Sequence, residues 1–319
     1  MIVSLVASPN GLGHARRQLQ LAYALCGFAK RVNFFLSSRQ FHLLSSESLS
    51  VGPKVVLRIV IIENYGLDGL VFGTTPYPSS IPPSISSILE KSSVVISDNS
   101  LWPANFTDNF NLMGHFNWVD HYWQYKKRKA VPLRVHEIVQ EETVLMKRVR
   151  KWLAIRDFSM TSEINSKKLE IPLFKYEADK YAMKERDAKT WLSVGTTKST
   201  TLREYDSLPM TDRKESWLMT QSKTLPRLVI GRAGLGTIRD CLASQTPFFP
   251  LTEQIDPEIL HNIETLKNLE LLFPSSFQSP LDLTSDELMS QSQRMNEYWK
   301  SNSVYPHEVA ELILEECSK

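Results

Sequence analysis

Residues 229–251 leave this chain few folds to choose from. They read Val-Ile-Gly-Arg-Ala-Gly-Leu-Gly-Thr-Ile-Arg-Asp-Cys-Leu-Ala-Ser-Gln-Thr-Pro-Phe-Phe-Pro-Leu. This is a short apolar strand, a glycine turn, a helix of two to three turns and a second apolar strand. Gly234 and Gly236 remove side chains where strand meets helix, so a ligand can approach the backbone. The free N–H groups at the helix start, at its positive dipole end, suit a phosphate. Asp240, one turn in, could accept hydrogen bonds from ribose hydroxyls. The same spacing also describes an ordinary βαβ crossover whose glycines only turn the chain.

The opening of the chain repeats this logic. Residues 2–7 are a continuous apolar run, as a strand buried on both faces requires. A tight loop, Ser8-Pro-Asn-Gly-Leu-Gly-His14, leads into residues 15–29, where Leu19, Ala22, Tyr23 and Cys26 fall at helical spacing. Residues 32–36 are the next strand, so a βαβ unit and a parallel sheet follow. Residues 55–62 and 94–97 read as strands, 65–83 as loop, and 84–91 as a helix capped by Ser84. A helix over 101–109 and, over 111–118, a strand running into a loop come next. Apolar residues at 135, 138, 139, 145, 146, 149 and 152 predict one amphipathic helix over 135–152.

Residues 156–187 are polar and irregular and read as the inter-domain region. A second half then starts with a strand at 190–194 and another glycine turn, Gly195-Thr-Thr-Lys-Ser-Thr200. Strands are expected at 217–219 and 271–273, a helix at 256–269 with Asp256 and Glu258 in its first turn, and helix from 285 onward. The fold class is therefore α/β, with two Rossmann-like domains whose parallel sheets face a cleft. The boundaries are residues 1–170 and 171–319, and the last helix returns toward the first domain.

Composition narrows the function classes. The 319 residues are 42% hydrophobic and 23% charged, ample for two cores. A net charge of +2 gives no argument for nucleic acid. Three cysteines without CxxC spacing speak against a disulfide framework and a zinc site. No basic region precedes residues 2–7 and no long apolar window occurs, so the expectation is a cytoplasmic protein, at most peripheral at a membrane. Residues 124–157 hold ten Lys or Arg against four Asp or Glu, beside the aromatic group Trp118, His121, Tyr122, Trp123 and Tyr125. That run is either a solvated face or a surface for an anionic acceptor or anionic membrane.

The chemistry gathers at two loops. In Asn10-Gly11-Leu12-Gly13-His14, an imidazole stands at the first helical turn beyond the first strand, over the rim where open α/β sheets bind ligands. It suits a general base that deprotonates a hydroxyl or water; a helix-start histidine without chemistry fits the pattern too. Arg16 and Arg17 follow, and either could reach an anionic group. Asp98, just past a strand end, is placed at the same rim or caps the next helix. The loop lacks the third glycine of GxGxxG and the Gly-Lys-Ser/Thr of a Walker loop. No GxSxG, HExxH or Asp-x-Asp is present.

Gly11-Leu-Gly13-His14-xx-Arg17 paired with Gly231-Arg-Ala-Gly-Leu-Gly-Thr237 resembles the GT-B superfamily of nucleotide-sugar glycosyltransferases. The similarity is greatest to the group of the lipid II pathway N-acetylglucosaminyltransferase and the amino-terminal half of plant L-arabinokinase. The UDP-sugar hydrolase of pseudaminic acid synthesis shares the Gly-His-xx-Arg pattern. The resemblance is specific at residues 8–20 and 229–262 and implies a metal-independent transferase. The donor would be a nucleotide diphosphate sugar, UDP-linked, with no cofactor and no metal, and the acceptor a glycan, lipid-linked or protein hydroxyl. The alternatives are a nucleotide-sugar hydrolase and a non-catalytic sugar-nucleotide or partner-binding protein.

The resemblance also implies roles. His14 matches the base, with Asp98 the next candidate, and Asn10, Gly11, Gly13 and Arg17 accompany it at the acceptor-side loop. Arg232, Gly234, Leu235, Gly236 and Thr237 match the turn over the phosphates. Asp240 matches an acidic residue, usually Glu, that holds the ribose, and Gln245 stands where glycine is usual. Asp256-Pro-Glu258, followed by Asn262, resembles a segment near the donor sugar. Gly195 and Thr196 match the turn opening the second domain, and Asn117-Trp118 an acceptor-side segment.

Overall fold

The computed structural model describes residues 1–8, 12–46, 56–62, 66–68, 73–75, 81–127, 133–160, 167–175, 186–194, 210–214, 224–251, 256–274 and 279–317. The chain divides into two compact units, one of residues 1–174 with 304–319 and one of residues 175–303.

The first unit is built on a seven-stranded sheet. Its strands are β1 (Ile2–Val6), β2 (Arg31–Ser37), β3 (Leu57–Ile62), β4 (Val94–Asp98), β5 (Phe110–Gly114), β6 (Trp152–Ile155) and β7 (Lys168–Ile171). They lie in the order β3-β2-β1-β4-β5-β6-β7 and every pairing is parallel. The helices are α1 (Leu12–Leu25), α2 (Ser38–Ser46), α3 (Pro83–Glu90), α4 (Trp118–Lys126) and α5 (Leu133–Met146). Crossovers carry the chain out from β1 in one direction and then back past it in the other. Val6, Phe35, Val95, Leu112 and Trp152 on one face of the sheet join Ile85 and Leu89 of α3 and Val135 and Ile138 of α5 in one core. The opposite face takes α1, which also packs against the chain's final helix.

The second unit carries a four-stranded parallel sheet of β8 (Arg186–Val194), β9 (Met210–Lys214), β10 (Leu225–Gly231) and β11 (Phe248–Pro250), in the order β9-β8-β10-β11. Between β10 and β11 lies α6 (Leu235–Ser244), followed by α7 (Pro257–Asn268) and α8 (Ser285–Asn302). The last helix, α9 (Pro306–Cys317), returns to the first unit, where Lys151 Nζ meets Glu316 Oε2 at 3.2 Å. The organising segment 229–251 thus folds as strand, turn, helix and strand. The α6 helix ends at Gln245 in the left-handed region, φ 56°. That conformation is why glycine is favoured there.

Several local readings need correction. Ser84 does not cap α3, which begins at Pro83 after Pro82, the proline supplying a fixed φ at the first turn. In place of a helix over 101–109 there is one 3-10 segment, Trp102–Asn105, after which the Thr107 hydroxyl engages the Asn109 amide. The amphipathic helix stops at Met146, and Trp152 opens β6. Inside 156–187, residues 168–171 form β7. Within 65–83, Gly66–Asp68 and Gly73–Thr75 pair as an antiparallel hairpin. Residues 271–273 form no strand, because Gln291 and Arg294 of α8 donate to the carbonyls of Leu271 and Leu272. Residues 217–219 lie outside the described residues.

Gly114 shows how tightly the sheet's upper edge is built. Its φ is 149°, and a Cβ there would stand 1.8 Å from the Asn99 side-chain amide. Asn99 is itself left-handed, φ 59°, and fully buried. Turned about, its amide nitrogen donates to the carbonyls of Phe116, at 2.6 Å, and Met113, at 3.2 Å. Gly114→Ala should therefore cost about 2–4 kcal/mol by strain and overpacking. Urea denaturation measures this, and a wild-type midpoint would contradict the packing described.

Candidate functional site

The strand order reverses between β1 and β4, and at such a switch point the loops leaving two adjacent strands diverge to opposite faces. Val6 is in register with Ser97, so the ends of β1 and β4 stand side by side. The two-residue period of β4 puts Asp98 on the same face as Ile96, the face that α1 covers. His14 and Arg17, three residues apart on α1, share one side of that helix.

The three side chains meet. His14 Nδ1 lies 2.9 Å from Asp98 Oδ1. Arg17 Nε donates to Asp98 Oδ2 at 2.9 Å, and Arg17 Nη2 lies 2.6 Å from each carboxylate oxygen. Asp98 is fully buried and Arg17 nearly so, whereas the His14 side chain keeps 13% of its surface in contact with solvent. Burial pushes the Asp98 carboxyl up, but the Arg17 charge, the His14 ring and their hydrogen bonds outweigh it and hold the group at about 2. An ionised carboxylate only accepts, so Nδ1 of His14 carries the proton and Nε2 presents its lone pair. Asp98 spends its oxygens on these partners, not on capping a helix, and a carboxylate held so low is no proton acceptor near neutrality.

A third element completes the group. His115, just past β5, is buried and its ring lies parallel to that of His14, with centroids 6.4 Å apart and 17° between planes. Sequence reading did not single it out; the available signal was a histidine directly after a strand-ending glycine. Asn117 is committed to structure: it accepts from the Asp120 amide at 2.8 Å and donates to that carboxylate at 2.7 Å, starting α4. On α4, Trp123 is 48% exposed with Lys126 Nζ 5.1 Å from its ring centre.

In the second unit, Gly234 is the N-cap of α6 with φ −72°, and no side chain caps the helix. The amides of Leu235, Gly236 and Thr237 are those that a helix start leaves without intrahelical partners. Among the described residues, a Cβ on Gly234 would meet nothing within 4 Å. Neither backbone strain nor packing against the described residues requires glycine here. The same holds for a Cβ on Gly13 in α1. Arg232 is ion-paired with Asp256, whose other oxygen caps α7 by accepting from the Glu258 amide at 2.9 Å. Asn262 reaches back from α7 to the Ala233 carbonyl at 2.8 Å, tying α7 to the turn. Asp240 is buried on α6 with Oδ1 3.6 Å from Arg239, away from the open first turn. His14, Gly13, Arg17 and Asp98 therefore belong to one unit, and Arg232, Gly234, Leu235, Gly236, Thr237, Asp240, Asp256 and Glu258 to the other. Asn10, Gly11, Gly195 and Thr196 lie outside the described residues. Among the described residues no group of three His, Cys, Asp or Glu is placed to hold a metal ion, and no helix is long and apolar enough to cross a membrane.

No family model matches the sequence, and no curated protein matches it. Solved structures do match the fold. The spinosyn forosaminyltransferase SpnP aligns over 100% of each chain at 11% identity, with a TM-score of 0.63. Phytolacca americana UGT2, complexed with UDP-2fluoro-glucose and pterostilbene, aligns over 100% of each chain at 11% identity, with a TM-score of 0.59. The Streptomyces sp. SF2575 glycosyltransferase SsfS6, complexed with thymidine diphosphate, aligns over 99% of each chain at 12% identity, with a TM-score of 0.56. The chain has the GT-B fold of nucleotide-sugar glycosyltransferases.

The Asp98 carboxylate links this site to stability. Its folded pKa lies below the ordinary 3.8, so the ionised form stabilises the fold above about pH 4, and that contribution is lost as pH falls toward 2. A shift of this size is worth about 2 kcal/mol. Asp98→Asn should remove this pH dependence and cost about 3–5 kcal/mol at pH 7, because the Arg17 charge is left buried without its counter-ion. Denaturation curves between pH 2 and 7 check it; parallel curves for the two proteins would contradict it.

Proposed function

We propose that the protein is a metal-independent glycosyltransferase that moves a sugar from a nucleotide diphosphate, UDP-linked, to a hydroxyl acceptor. The observation that carries the reading is the His14–Asp98 hydrogen bond at the switch point of the first sheet, with Nε2 of the ring left to take a proton. A base there serves as the acceptor oxygen attacks the anomeric carbon: the O–H proton passes to Nε2 while the bond to the diphosphate breaks. Asp98 holds the ring's tautomer and favours the imidazolium as it forms, as the acid does in other Asp–His pairs.

The donor diphosphate is assigned to the turn at Gly234, Leu235, Gly236 and Thr237. The open space over Gly234 supports this, as do the uncapped first-turn amides and the helix dipole, which would balance phosphate charge without a metal. Arg232, paired with Asp256, stands at that turn. Two of the similar proteins named above were solved with thymidine diphosphate or a UDP-sugar analogue, which favours a pyrimidine nucleotide. Asp256, Glu258 and Asn262 are assigned to the sugar side, and Asp240 to the ribose.

Two variants separate the roles. His14→Ala should lower kcat by about 10²–10⁴ with donor Kd nearly unchanged. Gly234→Val should leave the protein folded and abolish nucleotide binding, because its side chain would stand where the diphosphate is assigned. Turnover should persist in EDTA. Calorimetric titration with nucleoside diphosphates and product analysis with and without acceptor read all of this. Near-normal turnover by His14→Ala would end the base assignment; free sugar formed equally without acceptor would mark a hydrolase, and intact donor a binding protein.

An acceptor presented at an anionic membrane is supported by the end of α4, where Lys126 lies over exposed Trp123 and exposed Lys127 follows. Replacing both lysines by Ser should weaken binding to phosphatidylserine vesicles, most at low salt. Equal binding would return the helix to an ordinary solvated face.

A further inference from the structure

The sequence pattern aligns Arg17 with substrate groups, yet its guanidinium is already occupied within the protein. Nε and Nη2 both reach Asp98, and Nη2 stands 3.4 Å from His14 Nδ1. A single carboxylate thus serves a cation and an imidazole together. The two neighbours act on the ring in opposite senses: Asp98 favours the protonated imidazolium, and Arg17 opposes it. Among the described residues, the titratable and charged groups facing the His14 ring are Arg17 from α1, Asp98 from β4 and the His115 ring beyond β5.

Resting on the reading of His14 given above, we propose that Arg17 is a positioning residue that acts through Asp98. Its charge neutralises the carboxylate, so that Asp98 aims the His14 ring without holding a proton on it. An unneutralised Asp98 would strengthen the pair's grip on a proton, and the ring would arrive at the reaction already filled. The planar fork also sets direction, since two of its nitrogens fix both carboxylate oxygens and, through them, the aim of Nε2. A lysine could supply the charge but not the fork.

The test compares Arg17→Gln and Arg17→Lys with the wild type in two measurements. One is the pH dependence of kcat and of KM for donor and acceptor. The other is the NMR titration of the His14 ring in the resting protein, with signals assigned through His14→Gln and His115→Asn. Arg17→Gln should move the acid limb of kcat/KM and the ring titration together to higher pH, with little change in donor KM. Arg17→Lys should leave both near their wild-type positions while lowering kcat. Should Arg17→Gln fail to fold, Arg17→Lys decides by the same two measurements. Its unmoved titration with reduced kcat supports the proposal, and a titration moved to higher pH despite the retained charge overturns it. Raised substrate KM with both pH curves unmoved in Arg17→Gln would make Arg17 a substrate ligand and overturn the proposal too. The ring titration needs no turnover, so failure of the base assignment in His14→Ala remains distinguishable from failure of the coupling.

Discussion

The parallel pairing of β1 with β4 is the constraint on which the first unit's chemistry depends. Strands β2 and β3 lie on one side of β1, and β4 through β7 on the other. The chain must therefore leave neighbouring strand ends in opposite directions, and the space between those departures is not filled by a crossover. Into that space β4 delivers a carboxylate and α1 an imidazole and a guanidinium. The contact His14–Asp98 spans 84 positions of sequence, and only this strand order closes it.

Burying an acid is costly unless it is paired and hydrogen-bonded. Asp98 meets the condition with charge from one side and a ring N–H from the other, at the edge of a sheet kept rigid by Asn99 and Gly114. The left-handed Asn99 and the side-chain-free Gly114 fit each other so closely that neither tolerates ordinary substitution. Strained backbone next to a buried charge is a pattern expected at functional sites, where structure elsewhere holds the strain in place.

Much of this could be read from the chain. Buried parallel strands are continuous apolar runs, so β1, β2, β4 and β10 announced themselves, and the glycine turns marked the helix starts. His14 and Asp98 were both legible as residues at strand ends; that they touch was not, because pairing needs the order of the strands. The failures have equally physical causes. Trp152 falls on the helical period that begins at Val135, so β6 was concealed by its predecessor's spacing. The edge strand β7, Lys-Leu-Glu-Ile, alternates polar and apolar and resembles the charged segment around it. Leu271–Phe273 had strand composition, but side chains of α8 took the hydrogen bonds that a neighbouring strand would have made. Arg17 was legible as a cation near a ligand rim, whereas its internal partner required the fold.

The return of α9 to α1 makes the first unit discontinuous: residues 304–319 complete what residues 1–174 began. The helix that carries His14 and Arg17 is thus seated against residues that are made only after the whole of the second unit. Until α9 is made, α1 lacks part of its packing, although the sheet beneath it is already translated. Such a closing contact raises the contact order of the unit and delays its final docking relative to the intervening unit. In a cell, the protein would gain its candidate base in working position only after α9 had been translated.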